Sequence, residues 1–293
     1  MIKSQKSTEH EQSSCLYLVA TPIGNLEDMT MRAIRILKEV DIIAAEDTRN
    51  TKKLCNYFEI STPLLSYHDH NLQIGGEKLL ELLREGKSIA LVSDAGLPCI
   101  SDPGADIVAK AVQEGFAVVP VPGANAALSA LIASGLSTQP FFFYGFLSRN
   151  KKERKVEIEK LQKRQESVIL YESPHRLKDS LRDMQSIMEG TRKIVLAREL
   201  TKKFEEFLRG TIDEAVEWVE QAEIRGEFCI VLAGNDDVSE TSDEVQWWSE
   251  LTLEEHVDRI ITEKQCTSKE AIKEVAIQRG MSKREVYQNY HVE

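Results

Sequence analysis

The sequence predicts an α/β protein of two consecutive α/β domains, an N-terminal one with a mostly parallel sheet and a second with a mixed sheet, followed by a small C-terminal helical module. Three observations predict it. Apolar runs of four to seven residues alternate with amphipathic runs of about ten from residue 15 to about 234, the pattern of strands joined by crossover helices. Runs such as "SIALVS" are apolar at consecutive positions, which implies burial on both faces of the sheet. After Asn235 the strands stop, and the chain turns first acidic and then helical.

Residues 1–14 are polar, lack an apolar signal-type core and read as a disordered tail. The N-terminal domain, 15–120, runs strand "CLYLVA", helix "MRAIRILKEV", strand "DIIAAE", helix "TKKLCNYF", short strand "PLLSY", helix "GEKLLELLREG", strand "SIALVS", helix "ADIVAKAVQEG" and strand "AVVPVP". A hinge at Pro120 to Gly123 opens the second domain, 121–234: "PGANAALSALIASG", strand "PFFFYGF", a basic helix, "SVILYE", "HRLKDSLRDMQSIM", "KIVLARE", "FEEFLRGT", "DEAVEWVEQA" and "EFCIVLAG". "KIVLARE" and "FEEFLRGT" lie too close for a crossover helix, so this sheet contains antiparallel pairing. Residues 235–250 form an acidic linker. In 251–293, Ser268 caps a helix with Ala271, Ile272, Val275 and Ala276 as its apolar positions. Gly280 ends that helix and Ser282 caps another, which gives a helix-turn-helix-like module.

No apolar run approaches the ~20 residues of a membrane span, so the protein reads as soluble and cytoplasmic. Five scattered cysteines without a Cys-x-x-Cys pair argue against a disulfide framework and against a structural zinc site, and no metal is expected. The net charge of −11 is unevenly distributed: residues 141–210 carry 17 basic and 11 acidic side chains, inside an otherwise acidic chain. In "RNKKERKVEIEKLQKR" (149–164) eight Lys or Arg face three Glu. Such a run is either a solvated helix face or a surface for a polyanion.

Ligands of open parallel sheets bind where strands end. Four such loops stand out: "TPIGNL" (21–26), "AEDTRNT" (45–51), "SDAGLPCISDPG" (93–104) and "VPGANAA" (121–127). The first has Gly24 alone where a dinucleotide loop needs three glycines, and no P-loop sequence occurs. The third offers exposed backbone groups in fixed directions, as suits a ligand with amines, hydroxyls and an adenine edge. In the second domain, "YESPHR" (171–176) and "ARELTKKFEE" (197–206) also follow strands. There Ser173 and Pro174 read as the cap and first residue of a helix. Glu172, His175, Arg176, Arg198, Glu199 and Lys202 crowd the basic segment.

Together, "LYLVATPIGNLEDMTMRAIRILKEVDIIAAEDTRNT", "LVSDAGLPCISDPG", "VPGANAALSAL", "YESPHR" and "ARELTKKFEE" resemble the signature segments of the 16S rRNA 2'-O-ribose methyltransferase family, within the tetrapyrrole methylase superfamily. The resemblance covers about residues 15–234, and the tail resembles the small helical module often found there. It implies S-adenosylmethionine as cofactor, bound between the two α/β domains, and methylation of the ribose 2'-hydroxyl of a decoding-centre cytidine of 16S rRNA. The other reading is methylation of a tetrapyrrole or corrin precursor. The resemblance also implies a homodimer, with 16S rRNA or the small ribosomal subunit as partner. Carried over by position, the cofactor contacts are Pro22, Asp94, Ala95, Gly96, Ile100, Ser101, Asn125, Ala126, Tyr171, Leu200 and Ala233. Relatives often have Ser-Ala where this chain has Asn125 and Ala126. A 2'-hydroxyl is a poor nucleophile at neutral pH, so a base or a cation should assist. Glu46, Asp47, His175 and Glu199 are candidates for base or orienter. Arg49, Arg176, Arg198 and Lys202 are candidates for phosphate or alkoxide, and the basic helix, with Arg149, Lys151, Lys152, Arg154 and Lys155, for flanking phosphates.

Overall fold

A computed structural model describes residues 5, 14–68, 72–235, 248 and 251–291. The tail expected at 1–14 and the linker expected at 235–250 lie almost wholly outside these residues. The chain forms two compact units, Met1–Asn235 and Asp236–Glu293.

The first unit holds two five-stranded sheets. One contains β1 (Cys15–Val19), β2 (Ile42–Ala45), β3 (Leu64–Ser66), β4 (Ile89–Val92) and β5 (Ala117–Val121) in the order β3-β2-β4-β1-β5. Every pairing is parallel. Crossovers run through α1 (Met31–Glu39), α2 (Thr48–Tyr57), α3 (Leu72–Arg84) and α4 (Ala105–Glu114). All four residues of the central strand β4 are buried, as its unbroken apolar run requires. Ala33, Ile36 and Leu37 cover one face of the sheet; Leu79, Leu83 and Ile107 cover the other. Gln5 pairs both atoms of its side-chain amide with the backbone of Val118, covering part of the exposed edge of β5.

The second sheet contains β6 (Phe141–Phe146), β7 (Ser167–Glu172), β8 (Lys193–Arg198), β9 (Glu206–Thr211) and β10 (Phe228–Leu232) in the order β6-β7-β10-β8-β9. β6 and β7 are parallel; β10 runs antiparallel to both β7 and β8, and β8 pairs antiparallel with β9 as its short connection dictates. On one face α5 (Ala126–Ser134) sets Ala127, Ala130 and Leu131 against Ile169, Val195, Ala197 and Val231. The opposite face is covered by α6 (Lys151–Gln162), α7 (Pro174–Gln185) and α8 (Ile212–Gln221), whose Ile158, Leu161, Leu177, Leu181 and Val216 pack on Val168, Leu170 and Ile230.

In the second unit α9 (Leu253–Lys264), α10 (Ser268–Gln278) and α11 (Lys283–His291) enclose Val257, Ile260, Ile272, Val275 and Val286. The cap of α10 is Thr267, one residue before the expected Ser268. Glu270 stands three residues after Thr267 and accepts from its backbone N–H at 3.0 Å, whereas Ser268 is followed by Ala271 at that spacing. Ser282 caps α11 as expected, accepting from the Glu285 N–H at 3.3 Å.

Candidate active site

Parallel strands of the first sheet all end on one edge, so the loops after β1, β2, β4 and β5 share that edge. They meet the ends of β6, β7 and β8 and the beginning of β10 around a cleft of about 350 Å³, within the range of small-molecule sites. The first loop is tied to the third by an antiparallel bridge, Thr21 N–H to Gly96 O at 2.8 Å and Gly96 N–H to Thr21 O at 3.0 Å. Thr21 Oγ1 also donates to Ser93 O at 3.1 Å. Asp94 accepts from Asp47 N–H at 3.2 Å and Asn50 Nδ2 at 3.0 Å, which binds the third loop to the second.

Four residues other than glycine adopt left-handed backbone here: Cys99 and Ser101 in the third loop, Glu199 and Thr201 after β8. Each costs on the order of 1–3 kcal/mol, and such conformations cluster at functional loops. Gly24 leaves room for a close approach. A Cβ on it would fall 2.4 Å from Lys202 Cγ, so only glycine lets the Lys202 stem lie against the first loop. Lys202 Nζ then sits 2.9 Å from both Glu199 Oε1 and Glu227 Oε2. Glu199 also accepts from Glu227 N–H at 3.0 Å. Burial raises the Glu199 pKa, but its bonds to Lys202 and the Glu227 amide outweigh this and hold it below the usual carboxylate value. Burial likewise lowers the Lys202 pKa, and its two carboxylate partners hold it above the usual ammonium value.

Among the described residues, the lining includes five acidic side chains besides the buried Glu172, namely Glu46, Asp94, Asp102, Glu199 and Glu227, against the single cation Lys202. Its other walls are largely apolar: Ile23, Leu97, Ile100, Ala126, Phe146, Tyr171, Leu200, Phe228 and Cys229. This field suits a ligand that carries positive charge and repels one that carries phosphates.

A model of the Tetrapyrrole (Corrin/Porphyrin) Methylases family matches residues 15–216. The ribosomal RNA small subunit methyltransferase I of Bacillus subtilis (strain 168) is 61% identical over 277 residues, covering 94% of each chain. The enzyme of the same name from Halalkalibacterium halodurans is 55% identical over 293 residues, covering 100% of each. The chain belongs to the ribosomal RNA small subunit methyltransferase I family. Among solved structures, a cobalt precorrin-4 methyltransferase shares the fold of this family member with a TM-score of 0.58 at 18% identity, over 75% of this chain and 94% of the other. A uroporphyrin-III C-methyltransferase complexed with S-adenosyl homocysteine does so with a TM-score of 0.53 at 17% identity, over 75% and 97%.

In this family member, Asp94, Ala95, Gly96, Ile100, Ser101, Asn125, Ala126, Tyr171 and Leu200 all line the cleft, with Glu46, Glu199 and Lys202. The Asn125 side chain is also the cap of α5, accepting from Leu128 N–H at 2.9 Å. Pro22 is outside the lining, and its neighbour Ile23 takes the place expected for it. Ala233 requires a correction. Because β10 is antiparallel to β7 and β8, its beginning reaches the cleft and its end lies at the opposite edge. Phe228 and Cys229 therefore line the site, and the Ala233 carbonyl accepts from Arg192 Nε instead. Burial pushes the Cys229 thiol up to about 12, so it serves as wall and not as nucleophile.

His175 is exposed on α7, outside the lining. Asp47 caps α2 and is held at about pKa 2 by its hydrogen bonds to Arg49, whose exposed guanidinium donates to both Asp47 carboxylate oxygens. Buried Glu172 accepts from Ser173 N–H at 2.9 Å and Ser180 Oγ at 2.6 Å, which fixes the entry into α7. Arg176 donates to the carbonyls of Leu147 and Ser148, and Arg198 to that of Arg225 at 2.8 Å, so both brace loops. Arg154 is the other correction: its guanidinium is buried against Asp183 at 2.7 Å and cannot meet RNA. The fourth position of a helix turns inward here, and Arg154 lies on the same side as Ile158 and Leu161. Arg149, Lys151 and Lys152 are exposed, while Lys155 is half-buried and reaches Asp183 at 3.8 Å. Sequence reasoning missed Ile23, Leu97, Asp102, Phe146, Glu227, Phe228 and Cys229; for the last three, only the strand direction of β10 could have named them.

Proposed function

We propose that this protein transfers the methyl group of S-adenosylmethionine to the ribose 2'-hydroxyl of a cytidine in the decoding centre of 16S rRNA. The observation that carries the reading is the acid-lined cleft beside an exposed basic turn. A sulfonium ligand that also bears an ammonium group fits the cleft carboxylates, and the apolar walls at Ile23, Leu97, Ile100 and Ala126 fit an adenine. A nicotinamide dinucleotide would set its pyrophosphate among those same carboxylates, which argues against a dehydrogenase. Family membership supports the methyltransferase activity and the rRNA substrate, since relatives at 55% and 61% identity are named for both. The tetrapyrrole-acting neighbours, at 17% and 18% identity, share the fold alone.

Asp94, Ser101, Asn125 and Tyr171 would hold the cofactor, whose bound sulfonium supplies an electrophilic methyl group. Alignment within such a site contributes about 7–11 kcal/mol of barrier reduction. Lys202, held by Glu199 and Glu227, directs an ammonium into the cleft, where it stabilises the alkoxide developing on the 2'-oxygen. Glu199 orients Lys202. Glu46, also in the lining, is the carboxylate that takes the hydroxyl proton. Arg149, Lys151, Lys152 and Lys155 hold flanking phosphates outside the cleft. A homodimer and a cytoplasmic location belong to the same proposal; no helix among the described residues is long and apolar enough to cross a membrane. Sedimentation of the purified chain tests the dimer.

The decisive experiment incubates the full chain with methyl-labelled S-adenosylmethionine and naked 16S rRNA, assembled small subunits or a corrin precursor. Label on one ribose 2'-oxygen is expected. Label on the corrin alone, or on no RNA, overturns the reading.

A further inference from the structure

An aromatic side chain at the cleft is left unexplained by cofactor binding. Phe146 lines the cleft yet is 52% exposed. Its direction is set by an irregularity in β6. Phe143 pairs with Ile169, Gly145 with Leu170 and Phe146 with Tyr171, so Tyr144 is an extra residue in the strand. Alternation would otherwise put Phe146 on the side of Phe142 and Tyr144, which pack toward α6, α7 and α8. The bulge reverses the parity. Phe146 joins Phe143 on the side of Tyr171, with ring centroids 5.6 Å and 5.2 Å from the tyrosine. Glycine is required at the bulge: Gly145 has φ +85°, and a Cβ there would stand 3.0 Å from Ser101 Oγ of the long loop. The strand thus departs from regular geometry and leaves a phenyl face open to water at the site.

Two further observations indicate what covers it. The chain leaves Phe146 directly into the exposed basic turn Arg149, Lys151 and Lys152. The cleft carboxylates exclude phosphate from its interior, so an RNA backbone held on the basic turn can send in only a nucleoside. Resting on the rRNA reading above, we propose that Phe146 is the stacking surface for the nucleobase of the nucleotide being methylated, a positioning role that presents its ribose to the cleft. A target base leaving its own stack needs such a surface, and aromatic faces supply it in single-stranded RNA recognition.

The test measures methyl transfer to 16S rRNA or small subunits by the full-length wild type, Phe146→Ala, Phe146→Leu and Phe146→Tyr, with S-adenosylhomocysteine affinity measured in parallel. Removing one stacked aromatic should lower kcat/KM for RNA roughly 5- to 150-fold, mainly through KM. Phe146→Leu should stay low because it restores apolar bulk without a ring face, and Phe146→Tyr should restore activity. S-adenosylhomocysteine affinity should change less than about twofold. On RNA lacking the base at the methylated position, wild type should fall to the level of Phe146→Ala, and the variant should lose nothing more. Wild-type activity in Phe146→Leu, a parallel loss of S-adenosylhomocysteine affinity, or an undiminished effect of Phe146→Ala on the abasic RNA would overturn the proposal. If the wild type labels no RNA, the rRNA reading fails; if it does, these variants judge the stacking role alone.

Discussion

Lys202 depends on its neighbours for both its position and its charge. Gly24 admits its stem, Glu199 and Glu227 hold its ammonium, and the strained backbone at Glu199 and Thr201 sets the loop. Lys202→Met should lower kcat for methyl transfer by about 10²- to 10³-fold, the cost of losing one donor to a developing oxyanion. S-adenosylhomocysteine affinity, read by calorimetry, should stay within a few-fold. The pH dependence follows from the two shifts. Glu199 is depressed, so its contribution is present above the ordinary carboxylate value of ~4.3 and is lost as pH falls through the lowered value. Lys202 is raised, so its contribution is present below the ordinary lysine value of ~10.4 and is lost as pH rises through the raised value. The ratio of wild-type to Lys202→Met rates should therefore be flat between about pH 6 and 9. A step in that ratio would show one of the pair titrating there.

At the scale of elements, α6 shows how a run of like charge divides between surface and core. Arg154 and Asp183 form a buried pair under the helix, with Lys155 completing it from the rim. Arg154→Ala leaves Asp183 with a poor substitute, so stability measured by denaturant unfolding should fall by about 3–5 kcal/mol, with the salt slope of RNA binding unchanged. Lys151→Glu and Lys152→Glu should do the reverse: stability within about 0.5 kcal/mol and a salt slope shallower by about 0.7–0.9 for each phosphate no longer neutralised. The C-terminal helices carry a different dependence. His256 is buried, accepts from Arg279 Nε at 3.1 Å, meets Gln278 Oε1 at 2.9 Å and stacks on Trp248. Burial, with Arg279 adding to it, lowers its pKa against the pull of Gln278 and Glu274. The unfolded chain then takes up a proton near ~6.5 that the folded one refuses. Melting of this unit should shift to lower temperature as pH falls below that value, and His256→Gln should remove the shift.

At the scale of the molecule, the described residues that line the cleft all belong to Met1–Asn235, and the last three helices keep a core of their own. A chain ending at Asn235 should therefore bind S-adenosylhomocysteine as tightly as the full chain, measured by calorimetry. A large loss of affinity would show that the helical unit supports the site.

Much of this architecture was legible because local chemistry dictates it. Alternating runs fixed the order of strands and helices, an uninterrupted apolar run marked β4 as buried on both faces, and the short link between β8 and β9 required antiparallel pairing. The loops after parallel strands named the segment 93–104 as one wall of the cleft, since those strands must end on one edge, and the family resemblance named Asp94, Ala95, Gly96, Ile100 and Ser101 within it. Other features depended on residues distant in sequence. The direction of β10 moved the site from Ala233 to Phe228 and Cys229, because strand direction is decided by its partners β7 and β8. Packing decided that Arg154 faces Asp183 and not solvent. The bulge at Tyr144 is invisible in "PFFFYGF" until β7 gives it a register, and only then does Phe146 face the cleft. Sequence by itself determined which elements form and which loops share an edge, through side-chain periodicity and turn chemistry. Tertiary structure alone decided strand direction, register and burial of charge, because each is a relation between segments far apart in the chain.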